Sequence, residues 1–82
     1  MALPDKPTTL SPEEIEEIQK NLADMRHAVN NYLSLITAGI EVLARKPDMV
    51  QRIMGAIIEQ PQKISDEIRK FSDLLENKLG VK

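Results

Sequence analysis

Apolar residues recur through the first half of the chain at alternating intervals of three and four residues. They lie at Ile15, Ile18, Leu22, Met25, Val29, Tyr32, Ile36, Gly39 and Leu43. This spacing is typical of a helix that packs along one side. Further apolar residues at Ala28, Leu33, Leu35 and Ile40 make the face wider than the seam of a two-stranded coiled coil. The pattern therefore predicts one long helix that belongs to a helical bundle.

A second seam follows with the same alternation. It runs through Val50, Met54, Ile57, Pro61, Ile64, Ile68, Phe71 and Leu75. Pro61 conflicts with the pattern, because proline removes a helix hydrogen bond and clashes with the preceding turn, at roughly 3 kcal/mol. We expect a kink between Glu59 and Pro61, since the seam keeps its phase across this point. Two shorter helices are the alternative.

Local signals mark where the helices begin and end. Ser11 can cap the first helix, Pro12 suits its first position, and Glu14 can complete a capping box. Pro47 ends this helix, and Gly80 is a natural stop for the second. The sequence thus divides into a flexible N-terminal arm over residues 1–10, rich in Pro and Thr, and a helical hairpin over residues 11–82.

The short connection at Pro47 predicts that the two long helices pair antiparallel, which places Glu67 opposite His27. Two helices of this length cannot cover each other's wide apolar faces. Packing two hairpins together is the simplest way to cover them. The predicted fold is therefore all-α, an antiparallel hairpin that forms a homodimeric four-helix bundle.

Composition narrows the possible functions. The chain has 82 residues, a net charge of −2, no Cys, no Trp, one Tyr and one Phe. The absence of cysteine excludes disulfides and thiolate metal sites. Mixed charges and few aromatic residues argue against a nucleic-acid partner, and no apolar run approaches the roughly 18 residues that would span a membrane. We expect a cytoplasmic protein without a signal peptide and without a bound cofactor.

His27, the single histidine, is the candidate for chemistry. A neutral imidazole is a good nucleophile near pH 7 and can accept a phosphoryl group. Asp24 lies one turn before it and could orient the ring, and Asn31 lies one turn after it and could bond the ring, a phosphoryl oxygen or a water. A solvated surface histidine is the alternative. Metal binding lacks a second His or Cys, and Ser34 lies too far away for a serine-type triad.

The segment from His27 to Leu33, His-Ala-Val-Asn-Asn-Tyr-Leu, resembles the phosphoacceptor motif of sensor histidine kinases. That motif usually has the pattern H-(D/E)-x-x-(N/T)-x-L, with H-D-F-N-N-x-L as a common variant. The long helix, short turn and second long helix around it are also similar to the dimerisation and histidine-phosphotransfer domain of that family. The resemblance covers about residues 12–79.

The resemblance implies a homodimeric four-helix bundle in which His27 is the phosphoacceptor and Asn31 assists transfer or dephosphorylation. It also implies that a receiver domain docks around Ser34, Leu35 and Ala38 and brings the Mg²⁺ with it. One departure is Ala28, which stands where the family has an acid that serves as base in autophosphorylation. Tyr32 stands where the family has Pro or a small residue.

Four hypotheses follow from these observations. The first is a bacterial-type histidine phosphotransfer protein that takes phosphate from a receiver aspartate or from a kinase in trans. The chain has no room for an ATP-binding domain, so we expect no complete kinase. The second is a degenerate dimerisation module that regulates a receiver or kinase by binding alone, which Ala28 favours. A fragment of a larger kinase and a purely structural helical dimer are the third and fourth.

Overall fold

A single straight helix takes up the first half of the chain. The computed structural model describes residues 8–80, and α1 spans Pro12–Arg45, a length of 34 residues. Its start is fixed by the predicted capping box. The Glu14 amide donates to Ser11 Oγ at 3.1 Å, and the Ser11 amide donates to Glu14 Oε1 at 3.0 Å. These two bonds satisfy donors that a helix N-terminus otherwise leaves unpaired.

The chain reverses within one 3₁₀ turn, Pro47–Met49. Lys46 closes α1, because its backbone N–H donates a hydrogen bond of 2.7 Å to the Val42 carbonyl oxygen. The return arm consists of α2, Val50–Ile58, and α3, Gln60–Leu79. Gly80 ends α3 with φ of 72° and ψ of 24°, a left-handed conformation that glycine adopts without steric penalty. The predicted all-α antiparallel hairpin is therefore confirmed.

Pro61 interrupts the return arm. α2 ends at Ile58 and α3 begins at Gln60, with Glu59 between them at φ −78° and ψ −23°. Pro61 has no N–H to donate to the Ile57 carbonyl, and its ring crowds that carbonyl. The hydrogen-bonded helix therefore ends and restarts here. The interruption is a single residue that keeps helical φ and ψ, so it has features of both the expected kink and the alternative of two shorter helices.

The two arms cover each other only partly. Among residues 8–80 no apolar side chain is buried, and Gln60 is the one buried polar side chain, at 6% exposure. Met25, Tyr32 and Phe71, which the heptad pattern marks as core, lie on the covered side but are half-buried. A single hairpin therefore has an inter-helix seam rather than a closed core.

Close packing and an ion pair fix the register of the hairpin. Near the turn, a methyl group added to Gly39 would lie 2.8 Å from Ile57 Cδ1, so the two arms approach closely there. Near the free end, Lys78 Nζ lies 2.7 Å from Glu17 Oε2. Thr8, the first described residue of the predicted arm, donates from Oγ1 to the Leu79 carbonyl oxygen at 3.3 Å. Residues 1–7 of that arm lie outside the described part of the chain.

One side of the hairpin carries large apolar residues that the described part of the chain leaves partly exposed. We call it the exposed apolar face; its members are Ile15, Leu22, Leu33, Ile40, Val50, Met54 and Ile68, and each is between 38% and 57% exposed. In each arm these residues are rotated about the helix axis by about a fifth of a turn from the covered residues, at 3.6 residues per turn. Because the arms run in opposite directions, both rows lie on the same side. Several of these residues belong to the predicted seams, which therefore combine covered and uncovered positions.

Candidate functional site

His27 lies near the middle of α1 and is exposed. The contacts between α1 and α3, such as those around Met25 and Phe71, set the rotation of α1 about its own axis. At 100° per residue, His27 is then about 150° from the centre of the packed side and about 130° from the row of exposed apolar residues. The imidazole therefore points away from both the hairpin seam and the exposed apolar face.

The imidazole borders a shallow, open depression. Its lining residues are His27, Ala28, Asn30, Asn31 and Ser34. His27 and Asn31 are thus brought together on one surface, as their spacing predicts. Ala28 adds only a methyl group to this lining. A large partner could approach the ring here without displacing another side chain.

Asp24 belongs to a different surface feature. It lines a narrow groove between α1 and α3, together with Asn21, Met25, Glu67, Lys70 and Phe71. Because Asp24 and Glu67 line the same groove, Glu67 lies within one helical turn of the height of His27 along α1, close to its predicted position. Lys70 is a cation of this groove that the sequence reasoning missed. Its position three residues after Glu67, on the same helix face, was the available signal.

The three candidate side chains are free to interact with a partner. Within residues 8–80, the side chains of His27, Asp24 and Asn31 form no hydrogen bond or ion pair with one another or with other described groups. Nothing in this part of the chain groups three or more potential metal ligands. The site therefore consists of an unpaired His27 imidazole, which can act as a nucleophile, with the side-chain amide of Asn31 nearby. It lacks a preassembled acid–base pair.

The surface continues from His27 toward the turn. A second shallow depression is lined by Asn30, Leu33, Ser34, Thr37, Ala38 and Glu41. Leu35 is 50% exposed and stands apart from the exposed apolar face. This second depression therefore combines small and polar residues with Leu33, a member of the exposed apolar face, and Leu35 does not line it.

Comparison of the chain with family models, curated proteins and solved structures gave no match. Of the helices between residues 8 and 80, none combines the length and the apolar character needed to cross a bilayer. The assignment below therefore rests on the chain's own residues and geometry.

Proposed function

We propose that this chain is a homodimeric histidine phosphotransfer module in which His27 accepts a phosphoryl group from a docked signalling protein. The observation that carries the proposal is the position of His27, an exposed, unpaired imidazole at the centre of a long helix and remote from the exposed apolar face. The resemblance of His27–Leu33 to the phosphoacceptor motif of sensor histidine kinases supports the same reading.

The proposed phosphoryl transfer requires only a few groups from this chain. Phosphoryl transfer depends mainly on positioning and on charge neutralisation. A ring nitrogen of neutral His27 attacks the phosphorus of an aspartyl phosphate on a receiver, and the P–O bond to that aspartate breaks as the N–P bond forms. Mg²⁺ at the receiver's acidic site would balance the charge. Asn31 can donate its amide N–H to a phosphoryl oxygen, and Lys70 supplies a cation to the neighbouring groove between α1 and α3.

The exposed apolar face supports the dimer. Covering the remaining half of each of its large side chains would contribute roughly 1 kcal/mol apiece. A second hairpin presents the same face, so a two-fold symmetric pair covers both faces with one interface. The result is the four-helix bundle, with the two His27 side chains on its outside. Without cysteine, the bundle needs no oxidising compartment, which is why we assign it to the cytoplasm.

The decisive experiment is intact-mass analysis after incubation with phosphorylated receivers and with active kinases. We expect an acid-labile mass increase of one phosphoryl group, absent in His27→Gln. Because His27 is the only histidine, no other imidazole can carry the label. Gln19→His on an exposed part of α1 is a matched control in the His27→Gln background, because it restores a surface imidazole without the site. Phosphorylation of that control would show nonspecific labelling.

A regulatory module without catalysis is the second candidate, and one residue favours it. Ala28 occupies the position of the family's general base, and its methyl group cannot accept a proton. In this case a receiver or kinase binds the flank around Leu35, and binding alone changes its activity. His27→Gln would then leave both binding and output unchanged, whereas the phosphotransfer module would lose its output and keep its binding.

A further inference from the structure

α2 has a smaller share of half-buried residues than α1 or α3. It has nine residues and lies between the 3₁₀ turn Pro47–Met49 and the interruption at Glu59. Pro61 cannot extend the hydrogen-bond ladder of α3 back into α2. A helix this short is marginal by itself in water, so α2 depends on its packing against α1.

That packing rests on few side chains. Ile53 and Ile57 are half-buried against α1, and Ile57 fits closely over Gly39. In contrast, Val50 and Met54 are 47% and 46% exposed, and Ile58 is 71% exposed. Most of the apolar surface of α2 therefore does not hold it to α1 within one chain.

Gln60, at the junction of α2 and α3, weakens the closed arrangement further. Its Nε2 donates to the Ala56 carbonyl oxygen at 2.9 Å, but its buried Oε1 accepts no hydrogen bond from residues 8–80. A buried acceptor without a partner destabilises the state that contains it, because water would satisfy it elsewhere. Any movement that lets water reach Oε1 removes this penalty.

We propose that α2 opens and closes as one unit about Glu59–Gln60, and that the unpaired Gln60 carbonyl sets the balance between the two states. Short helices with little buried apolar surface are the units that open locally in native proteins. The role of this motion rests on the proposed function. α2 packs against α1 at Gly39, the residue next to Ala38 of the proposed docking flank. His27 lies farther along α1, at the level of α3. Opening would thus change the docking surface and leave the phosphoacceptor in place.

Amide hydrogen exchange on the full chain, at a protein concentration low enough to keep it monomeric, tests the motion without a second copy or a signalling partner. We expect the amides of α2 to exchange at least about tenfold faster than those at the centre of α3, since α2 opens independently. Gln60→Met keeps the length of the side chain and removes both the unpaired oxygen and the Nε2 hydrogen bond to the Ala56 carbonyl oxygen, so slower exchange requires the unpaired oxygen to outweigh that bond. It should slow exchange in α2 by roughly tenfold and leave α3 unchanged. Gln51→Met, at an exposed position of α2, is the matched control and should have no such effect.

Two results would overturn this proposal. One is equal exchange in α2 and α3 of the native chain, which would make them a single cooperative unit. The other is unchanged or faster exchange of α2 in Gln60→Met, which would show that the amide holds α2 closed. Pro61→Ala provides an independent variant, because it restores the missing donor and should join α2 to α3. Failure of His27 phosphorylation would refute the proposed function but leave these exchange results intact.

Discussion

At the residue scale, the free end of the hairpin depends on a small group of charged side chains. Hydrogen bonds from Ser11, the backbone N–H first among them, together with the nearby charge of Lys78, lower the pKa of the Glu14 carboxyl below its usual 4.5. The hydrogen-bonded ion pair with Glu17 raises the pKa of the Lys78 ammonium above 10.5. Both groups therefore favour the folded state when charged, and pH can remove each contribution separately.

The sign of the Glu14 effect follows from linkage. A depressed pKa stabilises the folded state above the unfolded value of 4.5, and this contribution is lost as pH falls through the lower folded value. We expect the urea midpoint of the native chain to fall between pH 4.5 and pH 3, and Glu14→Gln to flatten part of this decline. Glu13→Gln, in the same helical turn, is the control and should retain it. An identical acid profile for both variants would contradict the assignment.

Lys78 acts at the opposite end of the pH scale. Its raised pKa gives a contribution that is complete below pH 10.5 and disappears as pH rises through the folded value. Lys78→Met keeps most of the apolar stem but cannot pair with Glu17. We expect its melting temperature to change less than that of the native chain above pH 10.5. Circular dichroism melts at pH 9 and pH 11 provide the comparison.

Residue-level signals predicted the local structure well. Ser11, Glu14 and Gly80 define helix ends through bonds within one or two turns, so their neighbours in sequence are enough to reveal them. The burial of Gln60 was missed, although it lies three residues after Ile57 and four before Ile64 on the covered side. The polarity of glutamine concealed this spacing, and the neighbouring Pro61 was assigned to the seam although it is exposed.

At the element scale, the closest approach of the two arms depends on the absence of a side chain at Gly39. A Cβ there would lie 2.8 Å from both Cδ1 and Cγ1 of Ile57 and 3.2 Å from Ile53 Cγ2. Gly55, by contrast, has no atom within 4 Å of the same hypothetical Cβ. The two glycines therefore form an internal comparison of packing against helix propensity.

We expect Gly39→Ala to lower the free energy of unfolding by about 1–2 kcal/mol, because the overpacking penalty exceeds the gain in helix propensity. Gly55→Ala should raise it by about 0.5–1 kcal/mol, because only the propensity changes. Urea denaturation at one fixed protein concentration measures both. A stabilising effect at Gly39 would mean that α1 and α2 are farther apart than described.

The helical rotation within the hairpin was harder to predict than the helices themselves. The heptad pattern places Ile15, Leu22, Met54 and Ile68 on the same seams as Ile18, Ile57 and Phe71, and it does not say which of them meet within one chain. That choice depends on how the arms pack, including the fit of Ile57 over Gly39. The break at Glu59 was equally uncertain, since a seam that keeps its phase is compatible with a kink or with two helices.

At the scale of the whole molecule, the hairpin is long and thin, with extents of 57 × 21 × 13 Å. Its two sides have different characters. The exposed apolar face has members along both arms, and His27 lies on the outer side of α1. The dimer contact and the partner contact at His27 proposed above would therefore use different sides of α1.

Substitution on the two sides separates these roles. We expect the native chain to sediment as a dimer, with a melting temperature that rises with protein concentration. Leu22→Lys places a charge in the exposed apolar face and should weaken the dimer at least about tenfold, since burying an unpaired charge is costly. Leu35→Lys is the control, because Leu35 is equally apolar and exposed but stands outside that face. If the native chain sediments as a monomer at two concentrations that differ 100-fold, the homodimeric bundle is ruled out.

The absence of any buried apolar side chain between residues 8 and 80 also bears on how the chain is made and lost in a cell. With its proposed cover supplied by a second copy, a newly synthesised chain stays protease-sensitive until it meets another. In the proposed dimer, abundance would therefore act as a threshold, below which unpaired chains are degraded and above which they accumulate in protected pairs. A His27→Gln copy that still pairs would then compete with native chains for partners.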